Sequence, residues 1–239
     1  MRYIVLLPTY NERENVQNII PEIFDVLPEA EIMVIDDNSP DGTGEVVDEM
    51  ITRYPQLSIL KRPGKQGLGV AYKHAISEVL KRNNHDYVFT MDADGSHDPS
   101  YLASMLEALK EYDLVVGSRY VKGGAVENWE QWRYLLSKYG NMYARFFTAS
   151  GINDLTAGFI GVRTETLRNM RFDELGSSGY AYQIEFKFHA VHHAKARAKE
   201  VPIVFKSRRE GESKISRHIV REGLKTPLRL FAKRLGYRK

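Results

Sequence analysis

The chain of 239 residues contains no cysteine, so neither a disulfide framework nor a thiolate zinc site is open to it. Any metal must be held by oxygen or imidazole, which favours a hard cation. The sequence also lacks a run of roughly 20 apolar residues, the length that spans a bilayer. The apolar part of the N-terminal MRYIVLLPTYNE is too short for a secretory signal. The expectation is a soluble or peripheral protein. No internal repeat, low-complexity tract or linker interrupts it, and at 43% hydrophobic and 27% charged it can build one sizeable core. Acid is scarce at one end: from Lys214 onward there are many Lys and Arg but only Glu222 as an acid, although the formal net charge is just +3. That basic segment needs an anionic partner.

What is present alternates. Short β-rich runs at Tyr3–Leu7, Ile32–Ile35, Leu57–Leu60, Tyr87–Met91 and Leu114–Val116 are separated by amphipathic stretches such as ENVQNIIPEIFDVL, GEVVDEMITRY, GVAYKHAISEVLKR and DPSYLASMLEALKEY. This is the pattern of parallel βα units with both sheet faces covered. Asp98 is the expected N-cap and Pro99 the first helical residue of the DPSYLASMLEALKEY helix. In the second half, WEQWRYLLSKYGNMYARFFTAS and AYQIEFKFHAVHHAKA read as helices, DLTAGFIGVR as a turn into a strand, and KEVPIVFKS as a closing strand.

In an open parallel sheet, ligands bind beyond the carboxyl ends of the strands. The segments that follow the five strands are PTYNE, DDNSPDGT, RPGKQGLG, DADGSHD and GSRY, and most are too polar or Gly-rich to be mere connectors. In extended backbone, residues two apart point to the same side, so Asp92 and Asp94 can converge on one magnesium or manganese ion while Ala93 faces the core. A helix cap with a solvated neighbour explains the same DAD spacing equally well. Asp37 can accept hydrogen bonds from a ribose or base edge, although Asn38, Ser39, Asp41 and Gly42 around it are also ordinary turn formers. GKQGLGVAY, with Lys65, Gly67 and Gly69, lacks the full dinucleotide and P-loop patterns. It reads either as a close approach to a nucleotide or as a Gly-permitted turn.

LLPTYNERENV, VIDDNSPDGT, RPGKQGLGVAY, MDADGSHDP, LVVGSRYVKGG, DLTAGFIGVR and RREGESKIS, in that order, cover nearly the whole chain. Together they resemble the inverting family 2 glycosyltransferases of GT-A fold, and within them the dolichyl- or polyprenyl-phosphate mannose synthases. The resemblance implies one α/β domain over residues 1–214, with a Rossmann-like, mostly parallel central sheet flanked by helices, and a basic amphipathic tail over 215–239. It implies nucleotide-sugar binding by Pro8, Tyr10, Glu12, Asp37, Lys65, Gly67, Asp92 and Arg208. Asp92 and Asp94 would hold Mg2+ or Mn2+ on the donor diphosphate. Ser96, where some members carry a metal-binding Gln, would assist through water, and Gly95 departs from the apolar residue usual there. Arg119, Arg133, Ser137 and Ser213 would bind the acceptor phosphate, and Lys214 with Arg208 would help the departing diphosphate. Asp94, Arg119, Arg133 and Lys214 would thus carry catalysis.

The reaction so implied moves mannose from GDP-mannose to dolichyl or polyprenyl phosphate with inversion at the anomeric carbon. A phosphate monoester has a second pKa near ~6, so the nucleophile is already largely ionised at neutral pH and His97 need not act as a base. UDP-glucose is the alternative donor. Against a nucleotidyltransferase stands PTYNE, where such enzymes carry a Gly-rich basic loop. Against nucleic-acid binding stand the rim acids, which a phosphate backbone would repel, and an inactive membrane-surface adaptor is the non-enzyme reading. The acceptor's tail demands a membrane, met by a separate anchoring subunit or by peripheral contact at the cytoplasmic face. Ile215, Ile219, Leu224, Leu228, Phe231 and Leu235, interleaved with Lys and Arg, suit a helix lying on an anionic leaflet, broken in two at Pro227. A basic solvated terminus is the plainer expectation.

Overall fold

A computed structural model describes residues 1–177, 179, 181–206 and 217–236. Arg208, Ser213 and Lys214 lie outside the described residues. The strands are β1 (Tyr3–Thr9), β2 (Glu31–Asp36), β3 (Leu57–Lys61), β4 (Tyr87–Thr90), β5 (Leu114–Ser118), β6 (Ala125–Val126), β7 (Ile160–Arg163), β8 (Ala198–Pro202) and β9 (Val204–Phe205). The helices are α1 (Arg13–Val26), α2 (Thr43–Ile51), α3 (Leu68–Arg82), α4 (Tyr101–Ala108), α5 (Gln131–Thr148), α6 (Thr164–Arg168), α7 (Ala181–His192) and α8 (Arg217–Gly236). The main sheet runs β3-β2-β1-β4-β7-β5-β8, all parallel except β7, which is antiparallel to both its neighbours.

The near-continuous apolar strands follow from burial on both faces. Along β1, Ile4 and Leu6 enter one apolar layer with Tyr72 of α3 and Phe186 of α7, while Val5 and Leu7 enter the other with Ile20 of α1 and Met105 of α4. The chain order crosses the sheet between β1 and β4. In an open α/β sheet that is the topological switch point, which puts a crevice beyond the carboxyl ends of those strands.

Four local expectations are corrected. Strand β1 continues through Pro8 and Thr9, opposite Ile35 and Asp36 of β2. Proline is tolerated because β4 pairs no further along β1 than Leu6. Helix α4 starts at Tyr101 instead of Pro99, since Asp98 Oδ1 accepts from the Ser100 amide (3.0 Å) and Leu102 N bonds Pro99 O (2.8 Å) in a tight turn first. The KEVPIVFKS segment splits: β8 joins the main sheet, the buried Ile203 donates to Ser118 O (3.0 Å), and β9 pairs with β6 in a separate ribbon.

Finally, α8 is one helix straight through Pro227. Pro227 costs ~3 kcal/mol in a free helix, and docking outweighs it. Leu230 is fully buried, Arg229 pairs with Glu185 of α7, Tyr143 of α5 donates to Leu224 O (3.1 Å), and the Phe147 and Phe231 rings meet edge to face.

Candidate active site

The polar segments do gather at the carboxyl ends of the strands. One corner collects Tyr10, Asp37, Arg62 and Lys65. The Lys65 ammonium lies 4.1 Å from the Tyr10 ring centre, and Arg62 Nη1 donates to Asp37 in a buried ion pair. Burial pushes the Asp37 carboxyl up, and Arg62 offsets part of that rise. Arg62 was not singled out in the sequence, although it is the first residue past β3. Gln66 also accepts from it (3.4 Å). Glu12 stands at the start of α1, where it accepts from Asn15 Nδ2 (2.7 Å). Gly67 has φ of +99° at the head of α3, a conformation that favours glycine. The need for glycine at Gly69 is packing: a side-chain carbon there would meet Ser177 O at 2.6 Å.

The other acids of this rim are fasteners. Asp36 accepts from Ser39 N (3.1 Å), Ser39 Oγ (2.5 Å) and Thr9 Oγ1 (3.2 Å). Asp41 accepts from Thr43 N (3.0 Å), Thr43 Oγ1 (2.6 Å) and Arg13 N (3.1 Å). Burial opposes ionisation of Asp41, and these hydrogen bonds outweigh it and hold its pKa down.

Asp92 and Asp94 sit where the chain leaves β4 and bends, with Gly95 at φ +76°. Both carboxylates bear on the buried Tyr72 and His97: they oppose ionisation of the phenol and favour protonation of the imidazole. Asp94 Oδ1 accepts from Ser96 Oγ (2.6 Å) and Ser96 N (3.1 Å). Ser96, fully buried, thus props Asp94. His97 Nδ1 accepts the Asp92 amide (2.9 Å), and its ring stacks on Phe159 with centres 5.0 Å apart. Burial lowers the His97 pKa against the pull of Asp92 and Asp94, so the ring is neutral and fixes the bend. Gly158 lies alongside: a side-chain carbon there would come within 3.6 Å of Asp92 Oδ1 and 3.5 Å of His97.

Across the crevice, Arg119 and Arg133 flank one indole. Their guanidinium carbons lie 5.6 and 4.0 Å from the Trp129 ring centre. Phe205 meets both Trp129 and His97 edge-on and so joins the two sides. Arg119 is buried and bidentate on Asp154, with Nε to Oδ2 and Nη2 to Oδ1 both at 2.7 Å. Nη2 also reaches Thr156 Oγ1 (2.8 Å). Burial works against both charges, and each partner outweighs it for the other: Arg119 is held above its ordinary range and Asp154 below. Arg119 Nη1 has no hydrogen-bond partner among the described residues. Ser137 accepts from Tyr120 Oη (2.7 Å), next to Arg119. Trp129, Asp154 and Phe205 were not singled out in the sequence. The quoted segments WEQWRYLLSKYGNMYARFFTAS, DLTAGFIGVR and KEVPIVFKS held all three, but only the folded chain brings them to Arg119.

Among the described residues no three His, Asp or Glu side chains converge on a metal position. The oxygen-only pair Asp92 and Asp94 suits a hard divalent ion that takes its remaining ligands from water and phosphate. Residues 4–171 match the family described as Glycosyl transferase family 2. The chain is 41% identical over 224 residues to an undecaprenyl-phosphate mannosyltransferase of Micrococcus luteus, covering 94% of this chain and 91% of that one. It is 41% identical over 225 residues to a polyprenol monophosphomannose synthase of Mycolicibacterium smegmatis, covering 93% and 84%. Among solved structures, it is similar to glucosyl-3-phosphoglycerate synthase of Mycobacterium tuberculosis bound to Mn2+, UDP-glucose and phosphoglyceric acid. The TM-score is 0.71 at 16% identity, covering 97% of this chain and 80% of that one. The mannosyltransferase PcManGT of Pyrobaculum calidifontis, in complex with GDP-Man and Mn2+, gives a TM-score of 0.56 at 16% identity, covering 98% and 74%.

Proposed function

The chain belongs to the family 2 glycosyltransferases, and from that premise we propose that it moves mannose from GDP-mannose to a polyprenyl phosphate of the dolichyl or bacterial type. The observation that carries this reading is the division of the rim. One side offers carboxylates, an aromatic ring and the Asp37–Arg62 pair to a nucleotide sugar; the other offers Arg119 and Arg133 to a phosphate. The two relatives at 41% identity are named for that chemistry.

Tyr10, Asp37, Lys65 and Gly67 hold the nucleoside end, with Pro8 and Glu12 shaping the floor at the end of β1. Asp92 and Asp94 hold Mg2+ or Mn2+, which when bound neutralises charge on the donor diphosphate. Ser96 holds the Asp94 carboxylate, and His97 holds the backbone at Asp92. Arg133 and the Nη1 edge of Arg119 bind the acceptor phosphate, with Ser137 beside them, and lower the repulsion between two anions. An ionised phosphate oxygen of the lipid then forms a bond to the anomeric carbon from the face opposite the diphosphate. The bond from that carbon to GDP breaks, and GDP leaves with the electron pair, which gives a β-linked product from an α-linked donor. No base is needed, because the nucleophile is already deprotonated. Arg208, Ser213 and Lys214 complete the site on the family pattern alone.

The lipid tail is met by α5 and α8, where the apolar Trp132, Leu136, Tyr139, Phe146, Leu224 and Leu235 are exposed beside Lys and Arg. No described helix is long and apolar enough to cross a membrane. An apolar face with basic flanks suits the anionic cytoplasmic leaflet. The test is transfer of radiolabelled sugar from GDP-mannose and, separately, UDP-glucose to a short polyprenyl phosphate, with metal and with chelator. Metal-dependent transfer from GDP-mannose supports the reading. Transfer from UDP-glucose alone replaces the donor, and transfer from neither rejects the reading.

A further inference from the structure

Helix α7 is buried on nearly every side, and Lys187 lies in its middle with no exposed surface. An ammonium group is costly to bury, and methionine would fill much the same volume without that cost. The lysine is therefore held by specific partners. Its Nζ donates to Ala157 O (2.7 Å), Leu155 O (3.1 Å) and Gln183 O (3.4 Å). The first two carbonyls belong to the loop at 153–158, which also carries Asp154 and Thr156, the two residues that grip Arg119.

The same loop is fastened elsewhere by groups with no other reason to meet. Glu200 of β8 accepts the Asn153 amide (2.9 Å) and the Asp154 amide (3.0 Å). Asn141 of α5 accepts the Thr156 amide (3.1 Å), and Thr90 of β4 donates to Gly158 O (2.7 Å). Lys187 is the support from below. Without it, the buried Leu155 and Ala157 carbonyls lose this donor, and the loop can relax. Charge points the same way. While protonated, Lys187 joins Arg119 in balancing Asp154 and Glu200, whereas a residue at 187 that never carries charge leaves an excess negative charge behind the cation that faces an anionic acceptor. Burial lowers Lys187 to about 7, with Asp154 and Glu200 resisting the fall and Arg119 adding to it.

We infer that Lys187 is a positioning residue for Arg119: it fixes the 153–158 loop and, through Asp154 and Thr156, sets where the guanidinium stands against Trp129 and toward the acceptor. The inference rests on the assignment of Arg119 to the acceptor phosphate, and it has a readout that needs no turnover. In a Trp132→Phe background, Trp129 emission reports on the guanidinium beside it. Lys187→Met and Asp154→Asn are expected to shift that emission alike, without substrate present. With substrates, Lys187→Met is expected to lower kcat/KM for a short polyprenyl phosphate about 100-fold, the scale of a roughly 1 Å misplacement, while the Kd for GDP-mannose moves less than about twofold. Its loss and that of Asp154→Asn are expected not to multiply in the double variant. Unchanged Trp129 emission, equal losses for donor and acceptor, or multiplying losses would each overturn the inference. If Lys187→Met does not fold, Lys187→Gln, which keeps an amide donor toward the Leu155 and Ala157 carbonyls but no charge, is expected to shift the Trp129 emission in the same direction by a smaller amount, and an unchanged emission in it overturns the inference. Should the unaltered protein transfer no mannose, the functional reading falls, while the emission comparison still decides whether Lys187 places Arg119.

Discussion

The donor and acceptor sides of the crevice are built by different means. On the donor side, Asp36, Asp41 and Asp94 are braced by serines and threonines two or three residues along the chain. On the acceptor side, Arg119 is held by Asp154 at a separation of 35 residues, and the loop carrying Asp154 by Lys187, Asn141 and Glu200 at separations of 32, 15 and 47. Short-range bracing forms with the local turn, so Asp94 is close to self-sufficient, while Asp36 and Asp41 add single bonds from Thr9 and Arg13 and only Asp37 depends on a distant partner, Arg62. Long-range bracing exists only when β5, β7, β8, α5 and α7 are all in place. The acceptor side is thereby coupled to global stability.

Substitutions can break this contrast. Asp94→Asn is expected to cost on the order of 10³ in transfer rate, since the departing diphosphate loses its electrostatic support. A local brace implies a melting temperature close to that of the parent, read by calorimetry. Asp154→Asn is expected to lower transfer and stability together: it strands buried Arg119 and costs about 3–5 kcal/mol of stability, measured by urea titration. Replacing Leu228 and Leu235 of α8 by Asn removes apolar area worth about 1.5–3 kcal/mol per side chain. Flotation with anionic vesicles is expected to show at least roughly tenfold weaker binding, and a double variant that floats normally moves membrane contact to another surface. Ser96→Ala, which removes one brace from Asp94, is expected to lower kcat about tenfold with little effect on stability.

The smallest effect is a pH dependence. Lys187 binds its proton less tightly folded than unfolded, so between about pH 7 and its unfolded value the unfolded chain carries the extra proton and folding becomes more favourable as pH rises. The stability difference between the parent and Lys187→Met should therefore move toward the parent from pH 7 to pH 9, by chemical denaturation at each pH. A flat difference would mean that Asp154, Arg119 and Glu200, which face the ammonium, hold its proton as firmly as water does.

The same contrast explains what was legible in the sequence. The five N-terminal strands, the parallel βα order and the rim segments were readable because strand, turn and helix cap signals are local. So was the position of Tyr10, Asp37, Asp92 and Asp94 just past strand ends, whereas the hydrogen bond by which Ser96 braces Asp94 was not. Arg62 was within reach, as the first residue after β3 on a rim already identified. Asp154, Phe205 and Lys187 were not: Asp154 opens the quoted DLTAGFIGVR, but nothing in the chain ties it to Arg119, and nothing near Phe205 or Lys187 marks either. Lys187 sits in a helix whose apolar neighbours read as plain core, and its partners come from a loop on the far side of β7. Pro227 misled for a related reason: its local cost is real, but contacts with α5 and α7 outweigh it.

The division of labour is tested most directly by titrating GDP-mannose, with magnesium, into an Arg133→Gln variant and assaying transfer to a short polyprenyl phosphate on the same sample. Donor affinity within about twofold of the parent, together with transfer lowered about 100-fold, is the predicted result. Loss of donor binding, or undiminished transfer, would contradict the assignment of the two anions to opposite sides of the crevice.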